Sequence, residues 1–587
     1  MGINQPLDFA YPFVLLDDAR VVNAGLTRLY RNPVEIIKTE ERNQIPDCLA
    51  ELRGAAGRGL HAAGWISYDA GPPGESCVSS AYGPLLWFGL FSEYQIVKNV
   101  PTLLPDPAGA WAGPPVPQID VAGYEEAFTR VKKYIVAGDI YQANLTFQTS
   151  CAVLGDPLAL YARIRGHAAA GWGGIVFDGR HTFLSFSPEL FFRLNRDQLE
   201  ARPMKGTAKR FADRRADAAT ATALPLDEKQ RAENLMIVDL LRNDLSRVAI
   251  PGSVKVPALF TVETYPTVHQ LTSTIVATLA DGADAISVLE ACFPCGSITG
   301  APKLRAIEIA AEVEAGPRGI YTGTIGHIDQ GGDAAFNVAI RTMVLKDLPS
   351  ATTEATLGIG SAIVADSTCE AEWQECLLKG AFISSAMVPF DLVETMRFEV
   401  DKGILDLDRH FVRLRGAAAA FAFYFEPQLL IKQLQAATSL LLVDSRVRLQ
   451  LSRSGNAVID VQALPHTPIY PIIVPIVPLP VSENDFRLQY KTSDRSFYDS
   501  ARANYFEVLF VRNDGLLTEG SFTNLFVPRE DGILLTPSLR YGLQSGVLRQ
   551  RLIEQGAAVE ADLMETDLKS GFKIGNAVRG LLNARLP

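Results

Sequence analysis

The succession of helix and strand patterns along this 587-residue chain constrains its fold more than any single motif. Apolar residues recur at helical spacing from Tyr124 to Ala137, and Gly138-Asp139 predicts the end of that helix. The next segment, Ile140 to Thr146, alternates as a β-strand does. Further along, helices and strands follow one another without the regular alternation of βαβ units. This order favours an α+β fold.

A second change of pattern falls near Met387-Val388-Pro389, after a predicted helix that carries Glu372 to Ala386. Strand and helix patterns restart at Phe390, and the length allows more than one hydrophobic core. We therefore predict two domains, residues 1–386 and residues 387–587.

Composition and charge exclude several classes of partner. The formal net charge of −11 argues against nucleic acid, which requires concentrated Lys and Arg. No apolar run reaches the roughly 20 residues of a membrane span, and the first residues lack the pattern of a signal peptide. We expect a cytoplasmic protein without a membrane partner. The seven cysteines form no disulfide framework, so Cys292 and Cys295 are expected to be buried thiols.

Lys205 lies between a strand-like run and Gly206, 16 residues after Glu189. An amine and a carboxyl group at this separation could serve one site. A Lys-Gly-Thr turn is also typical of a solvated loop, so the pattern alone leaves both interpretations open.

Three charged residues, Glu372, Glu375 and Lys379, have the spacing of a single helical face. The preceding segment, Gly358 to Val364, is predicted to be a loop whose small residues could cradle an anion. Two carboxylates beside such a loop suggest a divalent ion, and Mg²⁺ prefers oxygen ligands.

Several longer motifs occur in one order over residues 10 to 385, and together they closely resemble the chorismate-utilising enzymes. These motifs are Gly138 to Thr146, Ser187-Pro188-Glu189, Pro203 to Thr207, Glu233 to Leu245, Gly296 to Lys303 and Ala339 to Thr342. The resemblance implies a two-lobed β-sandwich with helices, like that of anthranilate synthase component I. It also implies chorismate and ammonia as substrates.

The resemblance implies a role for each matching residue. Lys205 would be a nucleophile and Glu189 a general acid. Mg²⁺ would be held by Glu233, Glu372 and Glu375. The substrate carboxylates would be bound by Tyr321, Arg341, Lys379 and the amides around Gly360 and Ala362. His269 and Gln270 are not assigned to catalysis.

Lysine at position 205 resembles aminodeoxychorismate synthase component I, whereas anthranilate synthase carries alanine in the corresponding motif. Lys205 therefore argues against an anthranilate synthase. Ammonia would come from a separate glutamine amidotransferase subunit, whose catalytic domain is not recognisable in the chain.

The second half contains a further lysine, Lys491, upstream of a predicted hairpin. Glu507 to Phe510 is predicted to be a strand, Asp514-Gly515 a turn and Thr518 to Phe526 a second strand. This geometry can present Glu519 to a buried ring.

Residues 388 to 585 resemble the class IV aminotransferase-like enzymes that use pyridoxal 5'-phosphate (PLP), specifically aminodeoxychorismate lyase. The resemblance is carried by Phe390 to Arg397, His410 to Leu414, Lys491, Thr518 to Phe526 and Gly542 to Arg549. It implies a fold-type IV α/β domain. Lys491 would attach to PLP and move the proton, Glu519 would pair with the pyridine nitrogen, and Arg413 with the Gly546 and Val547 amides would hold the phosphate.

These two resemblances predict a bifunctional enzyme that makes 4-aminobenzoate, a folate precursor, and a homodimer through the PLP domain would fit them. Two alternatives stay open. The second domain could be an inactive docking or dimerisation module, or a D-amino-acid or branched-chain aminotransferase fused to an anthranilate synthase component I.

Overall fold

The computed structural model describes residues 5–20, 24–72, 83–265, 268–346, 352–466, 468 and 471–587. The chain forms two compact units. The first comprises residues up to Leu104, Pro114–Val153 and Tyr161–Met387. The second comprises Pro105–Gly113, Leu154–Leu160 and Val388–Pro587. Two short segments from the first half of the sequence thus belong to the second unit, and a single domain boundary at residue 386 remains a prediction.

Strands dominate the described chain as far as residue 363. They are β1 (Phe13–Asp17), β2 (Thr27–Arg31), β3 (Glu35–Thr39), β4 (His61–Ile66), β5 (Leu86–Phe91), β6 (Gln95–Val97), β7 (Ala110–Ala112), β8 (Val116–Pro117), β9 (Gln142–Gly155), β10 (Gly173–Phe177), β11 (His181–Ser185), β12 (Leu190–Asn195), β13 (Gln198–Arg202), β14 (Met204–Lys209), β15 (Lys255–Thr264), β16 (Val268–Thr278), β17 (Gly300–Ala301), β18 (Thr324–Ile328), β19 (Ala334–Asn337), β20 (Thr342–Lys346) and β21 (Thr352–Ile363).

The helices of this part of the chain are fewer and lie between the strands. They are α1 (Ile45–Gly57), α2 (Val121–Ala137), α3 (Pro157–Ala168), α4 (Arg214–Ala223), α5 (Glu228–Ser246), α6 (Ala285–Cys292), α7 (Lys303–Val313), α8 (Cys369–Gly380) and α9 (Phe382–Ser385).

The first unit is a β-sandwich. One sheet has the order β17-β9-β21-β20-β11-β10-β1-β2-β6, and the other has the order β14-β16-β13-β12-β19-β18-β4-β5-β3. Tyr30 and Phe183 of the first sheet share one apolar cluster with Trp65 and Trp87 of the second. A further cluster joins the second sheet to α1, α5 and α6. The predicted α+β fold with a helix-covered sandwich is confirmed.

The predicted helix boundaries in this unit agree with the structure where a capping residue marks the end of the helix. The predicted helix over Tyr124 to Ala137 is α2, which begins at Val121 because the Asp120 carboxylate accepts a hydrogen bond from the Gly123 amide at 2.8 Å. Gly138, with φ of 83°, ends it. Cys292 and Cys295 are buried thiols, as predicted, and burial raises both pKa values to about 12.

The predicted loop over Gly358 to Val364 is wrong, because this segment is the end of strand β21. Its glycines serve close packing and not a turn. A side chain at Gly358 would overlap the Tyr321 ring, and one at Gly360 would meet the Leu145 carbonyl oxygen at 2.6 Å.

The second unit contains two further sheets. Its strands beyond residue 388 are β22 (Leu392–Glu399), β23 (Gly403–Ile404), β24 (Ser445–Leu451), β25 (Ala457–Ala463), β26 (Ile472–Ile473), β27 (Ile476–Pro478), β28 (Leu509–Val511), β29 (Leu517–Gly520), β30 (Asn524–Pro528), β31 (Leu534–Thr536), β32 (Ala558–Glu560), β33 (Phe572–Asn576) and β34 (Gly580–Arg585). Its helices there are α10 (Leu407–Ala420), α11 (Pro427–Thr438), α12 (Phe486–Gln489), α13 (Ser496–Arg502) and α14 (Val547–Glu554).

The smaller sheet of this unit runs β23-β22-β24-β25, and the larger runs β26-β34-β33-β30-β29-β28-β27. Leu509, Leu525 and Ile574 belong to the apolar cluster that packs against the larger sheet. Strand β28 and the turn at Gly515, whose φ is 84°, agree with the predicted hairpin. This mixture of sheets and helices agrees with the α/β domain predicted for the second half. No helix in the described part of the chain is both long and apolar enough to cross a membrane.

We expect Gly64→Ala to destabilise the first unit by about 1–3 kcal/mol, because the new methyl group would overlap the Trp87 carbonyl oxygen across the β4–β5 pair. The free energy of unfolding of that unit, measured with denaturant, tests this. The matched control is Gly54→Ala in α1, where nothing lies within 4 Å of the added methyl group. The control should stabilise the helix slightly, and equal effects of the two changes would contradict the packing account.

Candidate active sites

The backbone around Lys205 is fixed from two sides. Lys205 lies on β14, and the Asn234 amide group on α5 donates a hydrogen bond to its carbonyl oxygen at 3.3 Å. The Gln270 side chain on β16 donates to the Gly206 carbonyl oxygen at 3.0 Å and accepts from the Thr207 hydroxyl group at 3.0 Å. Gly206 needs its positive φ of 98° for this geometry. Asn234 and Gln270 are therefore positioning residues, and no spacing signal in the sequence assigns that role to Gln270.

The Lys205 amine is half-buried, and its pKa is lowered. Burial is the largest cause and the Lys379 ammonium group adds to it, whereas the carboxylates of Glu233, Glu189 and Glu375 act in the opposite direction. The net direction favours the neutral amine, which is the nucleophilic form. The same interactions show that the structure brings these predicted site residues around one amine.

Glu189 is 4% exposed and follows a short turn that Ser187 fixes. The Ser187 hydroxyl group accepts a hydrogen bond from the Glu189 amide at 3.2 Å and donates to the Val338 carbonyl oxygen at 2.6 Å. Burial raises the pKa of Glu189 to about 7, although a hydrogen bond with Ser297 and the charge of Lys205 oppose the rise. Its Oε1 atom has no hydrogen-bond partner in the described residues. A carboxyl group that keeps its proton near neutral pH can act as a general acid.

The three predicted metal ligands carry oxygen donors that fit Mg²⁺. Glu233 is half-buried, and burial together with the charges of Glu375 and Glu372 raises its pKa although Lys205 and Lys229 oppose the rise. A cation would relieve this repulsion. Glu375 lies 2.8 Å from the Lys379 ammonium group, and Glu372 accepts a hydrogen bond from Ser367 at 2.7 Å. No group of three or more His, Cys, Asp or Glu side chains converges as a metal site within the described ranges, so the magnesium assignment remains a prediction.

Three of the predicted substrate-binding residues lie on helix α8 and strand β21, whereas Tyr321 and Arg341 lie in connecting segments. Lys379 on α8 donates a hydrogen bond to the Gly360 carbonyl oxygen on β21 at 2.9 Å, so these two residues are neighbours. Ala362 lies two residues further along that strand. Tyr321 packs its ring on Gly358 of the same strand, and burial raises the pKa of its phenol.

Arg341 immediately precedes β20 in a left-handed conformation with φ of 51°. Burial lowers the pKa of its guanidinium group, and no carboxylate of the described residues pairs with it. Its carbonyl oxygen accepts a hydrogen bond from the Phe186 amide at 3.0 Å, next to the Ser187 turn. An unpaired guanidinium group of this kind is suited to a carboxylate ligand.

The second candidate site is centred on Lys491. The Lys491 carbonyl oxygen accepts a hydrogen bond from the Val393 amide at 2.9 Å, which fixes the lysine beside β22. Burial lowers the pKa of its amine to about 7 and the charge of Arg413 contributes, while Glu394 opposes them. The charges of Arg495 and Arg448 lower this pKa further. A buried amine that titrates near neutrality can accept and return a proton.

Glu519 is the buried acid of this site. The Tyr498 hydroxyl group donates to its Oε1 atom at 2.9 Å, and the Asn524 amide group donates to its Oε2 atom at 3.3 Å. Burial raises the pKa of Glu519 to about 8, against the effect of the Tyr498 hydrogen bond. Because Arg413 and Arg495 act electrostatically on both Glu519 and Lys491, the predicted pair belongs to one site.

Arg413 is anchored by Glu394, which the sequence interpretation did not assign. Its Nε and Nη2 atoms donate to the two oxygens of Glu394 at 2.8 and 2.6 Å, and its Nη1 atom donates to the Ser545 carbonyl oxygen at 3.0 Å. This places Arg413 beside Gly546, the residue before α14, and Val547, the first residue of that helix. A side chain at Gly546 would overlap Asn524. A lysine, a buried acid, an arginine and a helix start fit a phosphorylated pyridine cofactor.

Comparison with known proteins identifies both parts of the chain. Residues 11–385 match the family of chorismate binding enzymes. The chain belongs to that family. Residues 391–586 match the amino-transferase class IV family, so a class IV aminotransferase domain follows the chorismate-binding region. The predicted resemblances to chorismate-utilising enzymes and to class IV aminotransferases are confirmed, and the lyase assignment stays a prediction.

Individual relatives match only part of the chain. Aminodeoxychorismate synthase component 1 of Salmonella typhimurium is 43% identical over 254 residues, which are 43% of this chain and 54% of that protein. Anthranilate synthase component 1 of Aquifex aeolicus is 37% identical over 264 residues, 45% of this chain and 52% of that protein. The chain thus spans about half the length of these curated relatives.

Among solved structures, anthranilate synthase component I of Streptococcus pneumoniae superimposes with a TM-score of 0.53 at 26% identity. The match covers 62% of this chain and 93% of that chain. This similarity agrees with the sandwich architecture of the first unit.

The raised pKa of Glu519 predicts a pH dependence of stability in the protein without cofactor. The unfolded carboxyl group loses its proton near pH 4.5 and the folded one near pH 8, so the native state binds more protons between these values. Stability contributed by the protonated form is therefore lost as pH rises through this window. Glu519→Gln should remove this loss. The free energy of unfolding of the variant should exceed that of the unchanged protein by up to about 4 kcal/mol at pH 8, with little difference at pH 4.5.

Unfolding of the second unit, followed at several pH values, measures this difference. Glu530→Gln, at an exposed position, is the control and should leave the pH profile unchanged. Parallel profiles for the Glu519→Gln and unchanged proteins would contradict the assignment of Glu519 as a buried acid.

Proposed function

We propose that this chain makes 4-aminobenzoate in two steps. The first unit would replace the C4 hydroxyl group of chorismate with ammonia to give 4-amino-4-deoxychorismate, and the second would eliminate pyruvate from that product. The observation that carries the proposal is the pair of lysines with lowered pKa, Lys205 beside Glu189 and Lys491 in the site of Glu519. The two reactions are consecutive, since the second consumes what the first produces.

Chemistry in the first unit follows from the state of these groups. The neutral Lys205 amine forms a bond to ring carbon C2, both ring double bonds shift along the conjugated diene, and the C4–oxygen bond breaks as Glu189 gives its proton to the leaving hydroxyl group. Ammonia then forms a bond to C4, both double bonds return, and the C2–lysine bond breaks. Lys205 is released as a neutral amine, the new C4 ammonium group returns a proton to Glu189, and water is the other product.

Binding residues of the first unit would hold the two substrate carboxylates. Arg341 is free to pair with one carboxylate, while Tyr321, Lys379 and the amides near Gly360 and Ala362 would contact the substrate. Glu233, Glu372 and Glu375 would hold Mg²⁺. When bound, this ion would neutralise the charge of the ring carboxylate.

The second unit supplies the proton chemistry of the elimination. When bound, PLP would serve as an electron sink, with Arg413 and the Gly546 and Val547 amides at its phosphate and Glu519 at its ring nitrogen. Lys491 would accept the C4 proton of the substrate as a neutral amine. Loss of pyruvate then leaves an aromatic ring.

We further propose that ammonia comes from a separate glutamine amidotransferase subunit, that the PLP domain forms a homodimer and that the protein is cytoplasmic. Support for a second subunit is that the Salmonella relative is named as a component 1. The alternatives remain an inactive docking module in place of the lyase, or an anthranilate synthase component fused to an aminotransferase. The coincidence of Lys491, Glu519 and Arg413 in one site favours an active PLP domain, and Lys205 favours 4-amination.

We expect Lys205→Ala to abolish amination of chorismate, because alanine can form no bond to C2, while chorismate binding is retained. Product analysis with chorismate, ammonia and Mg²⁺ measures this. Lys209→Ala is the control, since Lys209 is an exposed lysine at the end of the same strand. Undiminished 4-amination in the Lys205→Ala variant, or anthranilate as the product of the unchanged protein, would overturn the assignment.

A further inference from the structure

One face of the smaller sheet in the second unit is rich in arginine. Along β24, Val447, Leu449 and Leu451 are buried, whereas Arg446 and Arg448 alternate with them and are half-buried. The strand register places Arg448 opposite Thr395 of β22 and Asp460 of β25. Because alternate residues of a strand lie on opposite faces, both arginines lie on the face away from the apolar core.

This arginine face adjoins the Lys491 site. Val393, two residues before Thr395 on β22, donates its backbone hydrogen bond to the Lys491 carbonyl oxygen at 2.9 Å. Leu392 of the same strand forms a β-bridge with Thr492. The positive charge of Arg448 is among those that lower the pKa of Lys491. Arg448 therefore lies on the strand next to the one that holds the Lys491 backbone, and its charge acts on the amine that is proposed to move the proton.

Arg448 has no carboxylate partner among the described residues. Its cross-strand neighbour Asp460 instead accepts a hydrogen bond from Gln462 at 2.8 Å. Other arginines of the unit are paired, since Arg413 is held by Glu394 and Arg502 by Asp499. Arg448 differs in this respect from Arg413 and Arg502.

Two further arginines of the second unit, Arg495 and Arg579, also lack a carboxylate partner among the described residues. Arg495 donates to the Ser521 carbonyl oxygen at 2.7 Å, while its buried Nη1 atom has no hydrogen-bond partner within the described ranges. Arg579 donates to the His466 carbonyl oxygen at 2.8 Å. Neither pairs with a carboxylate in the described part of the chain.

The two arginines flank the same loop. Arg495 binds at Ser521, and the Arg579 guanidinium group lies 6.0 Å from the centroid of the adjacent Phe522 ring. Burial lowers the pKa of Arg579, and the charge of Arg446 on the small sheet adds to this effect. Arg397 of β22 donates to the Val578 carbonyl oxygen at 3.4 Å.

Partly buried guanidinium groups without counter-charges are costly unless a ligand supplies the anion. Arg413 and the start of α14 already account for a phosphate group. We propose that Arg448, with Arg495 and Arg579, forms a carboxylate-binding wall and that Arg448 determines specificity for a ring substrate with two carboxylates. This inference rests on the proposed lyase function and extends it, since a monocarboxylate amino acid would leave part of the wall unpaired.

The test uses the full chain loaded with PLP and benzene-1,3-dicarboxylate as the probe. Binding is followed by the change in visible absorption of the cofactor, which reports only on the second unit and is insensitive to the chorismate site.

Arg448→Met should weaken dicarboxylate binding about 10- to 100-fold. It should affect benzoate less, leave PLP affinity unchanged, and raise KM for 4-amino-4-deoxychorismate with little change in kcat. Arg529→Met is the control, because Arg529 is exposed and already paired with Asp531 at 2.5 Å.

Three other outcomes would contradict the specificity role, the separation from the phosphate site, or the lyase function. If Arg448→Met binds the dicarboxylate as tightly as the unchanged protein while pyruvate elimination continues, the specificity role is wrong and the lyase function stands. If the variant instead loses affinity for PLP, Arg448 belongs to the phosphate site and the inference is overturned. If the unchanged protein takes up no PLP, the proposed lyase function fails and the inference fails with it.

Discussion

Burial of a lysine amine among other charges is the interaction on which both candidate sites depend. An exposed lysine is protonated at neutral pH and can neither attack a carbon atom nor accept a proton. In the first unit, burial and Lys379 together lower the pKa of Lys205. In the second, burial and the surrounding arginines lower that of Lys491 to about 7. Burial thus disfavours the charged form of both lysines and leaves two reactive neutral amines.

Each lysine, whose pKa is lowered, shares its site with a glutamic acid whose pKa is raised. Glu189 and Glu519 are both raised towards or above neutrality by burial, to about 7 and about 8. Such opposed shifts create a base and an acid that coexist at one pH. The surrounding structure maintains them by fixing backbones, as Asn234 and Gln270 do at Lys205 and as Val393 does at Lys491.

The sequence predicted the elements whose boundaries have a local cause. Helix α2 is an example, because Asp120 and Gly138 mark its ends. It misjudged the segment at Gly358 and Gly360, where glycines that look like a turn lie in a strand that packs against Tyr321 and Leu145. That contact joins residues distant in sequence, so no local pattern reports it.

Contacts between residues distant in sequence also limited the prediction of the two sites. Motif resemblance identified Lys205, Glu189, Lys491 and Glu519, which the structure places in two clusters. It gave no role to Glu394, although this residue anchors Arg413 through two hydrogen bonds. It also missed Arg448, since an unpaired guanidinium group is recognised only when its surroundings are known.

We propose that two lysines of this chain act in succession on one carbon skeleton. The most direct test supplies the Lys491→Ala full chain with chorismate, ammonia, Mg²⁺ and PLP, and identifies the product by mass spectrometry. We expect 4-amino-4-deoxychorismate to accumulate with its enolpyruvyl group intact, whereas the unchanged chain should release 4-aminobenzoate and pyruvate. Continued formation of 4-aminobenzoate by the variant, or anthranilate from either protein, would contradict this account.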